Sequence, residues 1–178
     1  MEIKHENRCV KISLPNGNVV DILTPAIEEM SKWIQDTPDK PESGGFIVGY
    51  QHKRTGNISL DSVSPPLIND TRERFYFAIE DPGHFVFLNK ARRHGSYYMG
   101  VWHTHPQKVP EPSSIDWEDW KGTLNTDVTG CAYAFFIIVG IEMWRMWVGD
   151  FESKKITEVD ECKKDFNGVY FRKAGVNV

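Results

Sequence analysis

Several connections between the strand-like segments of this chain are too short for a parallel crossover, which points to a mixed, mostly antiparallel sheet. Residues 9–14 and 19–23 alternate polar and apolar side chains about Asn16 and Gly17, the pattern of a β-hairpin. Thr24 offers an N-cap hydroxyl and Pro25 suits the first helical turn. Ile27, Met30, Trp33 and Ile34 then recur at helical spacing, predicting an amphipathic helix over 24–36 that Pro38 and Pro41 close. Strands are predicted over 44–50 and 57–63, and Pro65 and Pro66 mark 64–74 as an exposed connection. A strand over 75–79 leads to Asp81-Pro82, which opens a second helix running to about 93. Phe85, Phe87, Leu88 and Ala91 give that helix its apolar content, and Gly95 stops it.

A strand over 97–104 runs into His103-Thr104-His105-Pro106, and a short helix carrying Trp117 and Trp120 begins at Ser113. Two strongly apolar strands follow, 131–139 and 143–148, turned by Gly140, and a polar strand or helix is expected over 154–170. The expected fold class is therefore α/β: one domain over residues 1–178, with its core at about 20–150 and a C-terminal extension over 151–178. No internal repeat is visible.

Composition removes several function classes. A hydrophobic share of 40% supports an adequate core, and a net charge of −4 gives no electrostatic reason to expect nucleic acid. The longest apolar stretch, 131–141, is about one strand long, so no membrane span is expected. Residues 1–7 are polar with no apolar run behind them, which is not a secretory pattern. Cys9, Cys131 and Cys162 form no CxxC pair, and Cys131 reads as a small apolar residue of a strand. A cytoplasmic, reducing setting is expected.

The chemically informative stretch is His103, His105, Ser113 and Asp116. Residues two apart on a strand point to one face at roughly 7 Å spacing, so both imidazoles can converge on one ion. Asp116, in the first turn of the next helix, can add a carboxylate oxygen. Two nitrogens and one carboxylate leave the fourth position of a tetrahedral zinc open to water, as catalytic zinc sites do. Ser113-x-x-Asp116 is also an ordinary helix-capping pattern, which accounts for the serine and aspartate but not for the histidines. The two readings are compatible, because a capped helix fixes Asp116 where a metal needs it.

His103-Thr104-His105, seven residues, Ser113, two residues and Asp116 resemble the signature H-[ST]-H-x7-S-x-x-D of the JAMM (MPN-plus, Mov34-like) zinc metallopeptidases. Pro41-Glu42-Ser43-Gly44-Gly45-Phe46-Ile47-Val48-Gly49 is similar to the family's upstream glutamate and glycine-containing strand, and Asn69 with 75–82 resembles its Asn-loop-strand and Asp-Pro helix start. The resemblance covers roughly 20–150, with Gly44 where many relatives have cysteine and Thr104 for the commoner serine.

The resemblance implies a single MPN (JAB) domain with helices flanking the sheet. It makes His103, His105 and Asp116 ligands of Zn2+, Glu42 the general base that hands its proton to the leaving amine, and Ser113 a hydrogen-bond donor to the oxyanion. It further implies a protein substrate with an extended C-terminal tail. The phrase from Gly100 to Pro106, with Pro110-Glu111-Pro112-Ser113, is similar to stand-alone bacterial members, including peptidases of cyclic-oligonucleotide antiphage operons. Their substrates would be conjugates of ubiquitin-like or cGAS-like nucleotidyltransferase proteins. Two other classes stay open: a zinc hydrolase acting in peptidoglycan or sulfur-carrier processing, and a non-catalytic interaction module. Metal content separates the last from the others, and cleavage of tail fusions separates the first two.

Outside the motif, His5, His52, His84 and His94 are expected to face solvent, and Trp102 to pack on the strand face opposite the histidines. Trp117 and Trp120 are expected as core anchors, and Arg92 and Arg93 as a solvated helix end favourable to the dipole.

Overall fold

A computed structural model describes residues 10–14 and 16–159. In chain order the elements are β1 (Val10–Ser13), β2 (Val19–Ile22), α1 (Thr24–Ser31), β3 (Gly44–Gln51), β4 (Ile58–Val63), β5 (Thr71–Glu73) and β6 (Tyr76–Ala78). They continue with α2 (Gly83–Arg93), β7 (Tyr97–Thr104), α3 (Ser114–Thr126), β8 (Tyr133–Val139), β9 (Trp144–Asp150) and β10 (Ile156–Glu158). Eight strands form one sheet in the order β1-β2-β4-β3-β7-β8-β9-β10, and β5 and β6 make a separate hairpin. Pairing is antiparallel except between β2 and β4 and between β7 and β8, the latter crossing over through α3. The fold is α/β with a mostly antiparallel mixed sheet.

The alternation of β8 explains why the sheet needs a layer on each side. Phe135, Ile137 and Val139 point into a core with Ile27 and Met30 of α1 and the inner residues of β2, β3 and β4. Ala134, Phe136 and Ile138 point the other way, onto Trp120 and Leu124 of α3. A strand buried on both faces reads as a continuous apolar run, which is what this segment shows. Gly100 lies at a register shift between β3 and β7, with φ of 149°. A Cβ there would meet the Phe135 carbonyl oxygen at 1.8 Å, so only glycine lets β7 approach β8 at this point.

Four expectations are corrected. First, α1 ends at Ser31, well short of residue 36, and its first residue is Thr24 rather than a capping threonine before it. The last turn tightens through Lys32 N–H to Glu29 O and Trp33 N–H to Met30 O, while Trp33 and Ile34 still pack on the core without being helical. Second, 64–74 is not simply an exposed connection: Ser64 is fully buried, and β5 within it pairs with β6. Third, Phe85, counted in the apolar content of α2, is largely exposed and only meets the Phe46 ring edge-on. Fourth, His84 does not face solvent but is completely buried, with Ser64 Oγ 2.8 Å from Nδ1 and Asp70 Oδ2 2.6 Å from Nε2. Its partners stand 20 and 14 residues away in sequence, so nothing local announced them.

His52 and His94 are exposed as expected, whereas His5, Cys9 and Cys162 lie outside the described residues. The expected segment 154–170 appears as strand β10, and its part beyond 159 lies outside them as well. Cys131 is partly buried against the core. Among the described residues no helix is long and apolar enough to cross a membrane.

Candidate metal centre

The centre is built at the end of β7. Thr104 N–H donates to Ser43 O and His105 N–H to Val139 O, so the strand stays clamped between neighbours past its last residue. Trp102 turns into the core, its indole N–H donating to Ser64 O at 3.0 Å, and His103 takes the opposite face. The loop that follows is pinned: Arg145 donates to Pro110 O at 2.7 Å, approaches Glu111 at 3.1 Å and forms a two-bond fork with Glu158 of β10. Ser113 then caps α3. Its Oγ accepts from Asp116 N–H at 3.1 Å while Asp116 Oδ2 accepts from Ser113 N–H at 2.8 Å, a reciprocal capping box. Behind it Trp120 stacks on Phe136 and packs on Trp147, each with ring centroids 5.0 Å apart. Trp117 leans edge-on against Trp120, so both indoles anchor α3 as expected.

These supports bring three ligand atoms together. His103 Nε2 and His105 Nε2 are 3.0 Å apart, Asp116 Oδ1 is 3.2 Å from the first and Asp116 Oδ2 3.3 Å from the second. Around a tetrahedral zinc with bonds of about 2.0–2.1 Å, neighbouring ligand atoms stand roughly 3.3 Å apart. The donor set therefore fits such an ion in both spacing and chemistry. His105 is oriented from behind, its Nδ1 3.2 Å from Gln107 Oε1, the kind of outer partner that fixes a ligating imidazole.

Glu42 comes from the facing wall, its Oε1 3.7 Å from His105 Nε2 and only 5% exposed. Burial, with the Asp116 charge adding to it and His105 opposing, pushes its carboxyl up to about 8. For Asp116 burial also pushes upward, but hydrogen bonding to His103 and His105 outweighs it and holds the carboxyl well below the usual range. In His105 burial favours the neutral ring, yet Asp116 and Glu42 win and raise its pKa. Burial and the neighbouring Asp116 raise Asp119 as well. Glu42, His103, His105, Ser113 and Asp116 all line one cleft of about 340 Å³, so every expected site residue arrives there.

The rest of that cleft was not foreseen. Its outer wall is the β5–β6 hairpin, with Phe75, Tyr76 and Phe77 facing Ile115 and Trp120. Gly44 is required by this wall: a Cβ would meet Trp102 O at 2.5 Å and the Phe77 ring at 2.7 Å. Thr104 Oγ1 accepts from Ser43 N–H and donates to Gln35, whose amide in turn donates to Lys40 O and Arg74 O. Arg72 donates to Glu42 O at 3.1 Å and to Ser43 Oγ at 2.6 Å. Gln107, two residues beyond a ligand, could have been suspected from spacing; Arg72 and Gln35 carried no local signal.

The chain is similar to known proteins over most of its length. Residues 24–149 match the family described as prokaryotic homologs of the JAB domain. A protein of Vibrio cholerae serotype O1 named CD-NTase/cGAS isopeptidase is 31% identical over 120 residues, 66% of this chain and 72% of that protein. One of the same name from Escherichia coli strain TW11681 is 28% identical over 152 residues, 83% of this chain and 89% of its own. The solution structure of protein DSY2949 from Desulfitobacterium hafniense superposes with a TM-score of 0.50 at 14% identity, covering 83% of this chain and 91% of that one, a likeness of fold alone.

Proposed function

The chain belongs to the prokaryotic homologs of the JAB domain, and on that premise we propose that it is a zinc-dependent isopeptidase. The bond it hydrolyses joins the C-terminus of a cGAS-like nucleotidyltransferase or ubiquitin-like protein to a conjugated target. The observation that carries this is the convergence of His103, His105 and Asp116 beside a buried Glu42 in one cleft. The names of the relatives support a hydrolase that removes conjugates, and they motivate a role in bacterial antiphage defence. A cytoplasmic setting is part of the proposal.

The two imidazoles and Asp116 would hold the zinc, which would supply a Lewis acid that acidifies the attacking water. The chain's own residues do the rest. Glu42 takes the proton of the attacking water and gives it to the leaving amine. A carboxyl beside the His105 imidazole can do both once the charge of a bound ion favours its ionised form. Ser113 Oγ already accepts from Asp116 N–H, which leaves its O–H to donate into the cleft toward the oxyanion. Such a donor is worth about 10²–10³ in rate. The capping box keeps Asp116 from turning away, and the hairpin wall opposite Ile115 leaves a slot for an extended tail.

The test uses one nucleotidyltransferase tail fused to several unrelated proteins, with the cut mapped by mass spectrometry. All fusions should be cut at the same bond, with rates differing by less than about tenfold, or about 1.4 kcal/mol. Glu42→Gln should keep its zinc and melting temperature while losing about 10² or more in kcat. Near-wild-type turnover by Glu42→Gln would assign the proton to another group, and a cut set by the fused partner would overturn the tail reading.

A further inference from the structure

Glu42 has an unusual way of being held for a side chain proposed to move a proton. Among the described residues no hydrogen bond reaches its carboxylate, and the polar contact it makes is His105 Nε2 at 3.7 Å. Its aim must therefore be set through its main chain. That main chain is gripped directly by the β5 strand. Glu42 N–H donates to Glu73 O at 2.8 Å, and the Arg72 guanidinium reaches Glu42 O through Nε at 3.1 Å and Ser43 Oγ through Nη2 at 2.6 Å. On its other side Ser43 is tied to the ligand strand, with its N–H on Thr104 Oγ1 and its carbonyl accepting from Thr104 N–H.

Arg72 is in turn fixed from both ends. Its guanidinium lies over the Trp33 ring, 5.3 Å from the centroid. The hairpin that carries it is closed at its base by one buried carboxylate. Asp70 Oδ1 accepts from Glu80 N–H and Asp81 N–H, each at 3.0 Å, and Oδ2 from Leu67 N–H at 2.7 Å. His84 Nε2, 2.6 Å from Oδ2, ties that carboxylate to α2, and Ser64 Oγ on the other ring nitrogen ties it to β3 through Phe46 N–H.

We propose that Arg72 is a positioning residue for the general base: it fixes the Glu42–Ser43 main chain against the ligand strand, and the Asp70–His84 clasp holds the hairpin in the register that lets it do so. The proposal rests on Glu42 being the base. A planar fork that stacks on an indole while donating in two directions is a task for arginine, and lysine offers only a point donor on a flexible stem.

The experiment compares wild type, Arg72→Lys, Arg72→Met and Arg72→Ala. Backbone hydrogen exchange at Glu42 and Ser43, read by NMR, is measured beside zinc content and cleavage kinetics. Exchange at these two amides should quicken about tenfold or more in Arg72→Met, with the β8 and β9 amides unchanged. The kcat should fall by about tenfold or more while KM stays within about threefold and zinc stays at wild-type level. Arg72→Lys should lie between the two, and added guanidinium should restore part of the kcat of Arg72→Ala.

Wild-type exchange at Glu42 and Ser43 in Arg72→Met, or an unchanged kcat despite faster exchange, would overturn the proposal. So would a loss that appears in KM or zinc content instead of kcat. If Arg72→Met does not fold, Arg72→Lys carries the same readouts. If wild type itself cleaves no tail fusion, the isopeptidase reading fails, and the exchange data still decide whether Arg72 fixes Glu42.

Discussion

In the wall of the cleft that carries His103, His105 and Asp116 the site groups themselves are close in sequence, although the strand beneath them is clamped by the distant Ser43 and Val139; in the wall formed by 64–81 the bonds that reach the site join distant residues. In the first, the histidines stand two apart, and Ser113 and Asp116 bond each other at a separation of 3. In the second, Arg72 reaches back 30 residues to Glu42, and His84 joins Asp70 and Ser64 across 14 and 20. The first wall is also backed by apolar packing, through Trp120 and Leu124 against Ala134, Phe136 and Ile138. The second has little such backing, since Ile68 and Phe75 are exposed, and it relies on a carboxylate and an imidazole buried together. The difference implies a division of labour: one wall tolerates little displacement and holds the ligands, and the other is a stapled flap that can be lost without unfolding the sheet.

The largest expected effect breaks the first wall chemically and leaves the second untouched. His103→Ala combined with His105→Ala removes two of the three groups proposed to hold the ion. Wild type purified without chelator should carry about one zinc per chain, and the double variant should carry almost none. Cleavage should fall by about 10³ or more, roughly 4 kcal/mol of transition-state stabilisation. Hydrogen exchange in 64–81 should not change. Equal zinc in both proteins would remove the metal from this site.

Breaking the second wall should show the opposite signature. Asp70→Ala leaves the N–H groups of Leu67, Glu80 and Asp81 and the His84 ring without their acceptor. Buried donors stripped of a partner cost about 1–3 kcal/mol, so a loss near 3 kcal/mol in urea melts is expected. Limited proteolysis should then cut within 67–80 before any strand of the main sheet, and zinc content should stay as in wild type. Simultaneous cutting throughout the chain would show that the flap and sheet unfold as one unit.

The same contrast explains what could be read from the sequence. Period-two alternation and a continuous apolar run identified β7, β8 and β9, because burial on one or both faces leaves that imprint directly. His103, His105, Ser113 and Asp116 meet in one cleft because a strand pair and a capping box encode their geometry within a few positions, whereas Glu42 joins them from just before β3 and was legible only through the family resemblance. His84 was misread for the converse reason. Nothing in the Pro82-Gly83-His84-Phe85 stretch offers a partner for a buried imidazole, while Ser64 and Asp70, which satisfy it, come from another part of the chain. The end of α1 was misjudged because Trp33 and Ile34 keep helical spacing while packing from a tightened turn. Arg72 stood in a segment read as a plain connection, and only the fold of β5 onto the Glu42 main chain gives it a task.

The smallest expected effect is one of pH, and it isolates the staple from the rest of the molecule. Burial works to raise the Asp70 carboxyl, but hydrogen bonds from Asp81, His84, Leu67 and Glu80 outweigh it and hold its folded pKa below the ordinary value. A carboxylate depressed by folding contributes stability that is complete above its unfolded pKa, about 3.9, and that is lost as pH falls through the lower folded value. Asp36, Asp39, Asp81 and Asp116 are depressed too, so the whole protein weakens in acid and the melting temperature of wild type alone cannot single out one group. The difference between wild type and Asp70→Asn can, because the other carboxylates are common to both. That gap should be constant from about pH 7 to 5 and should narrow only below about pH 4, as Asp70 takes up its proton. A gap that changed between pH 7 and 5 instead would mean that a group other than the Asp70 carboxylate sets the strength of the clasp.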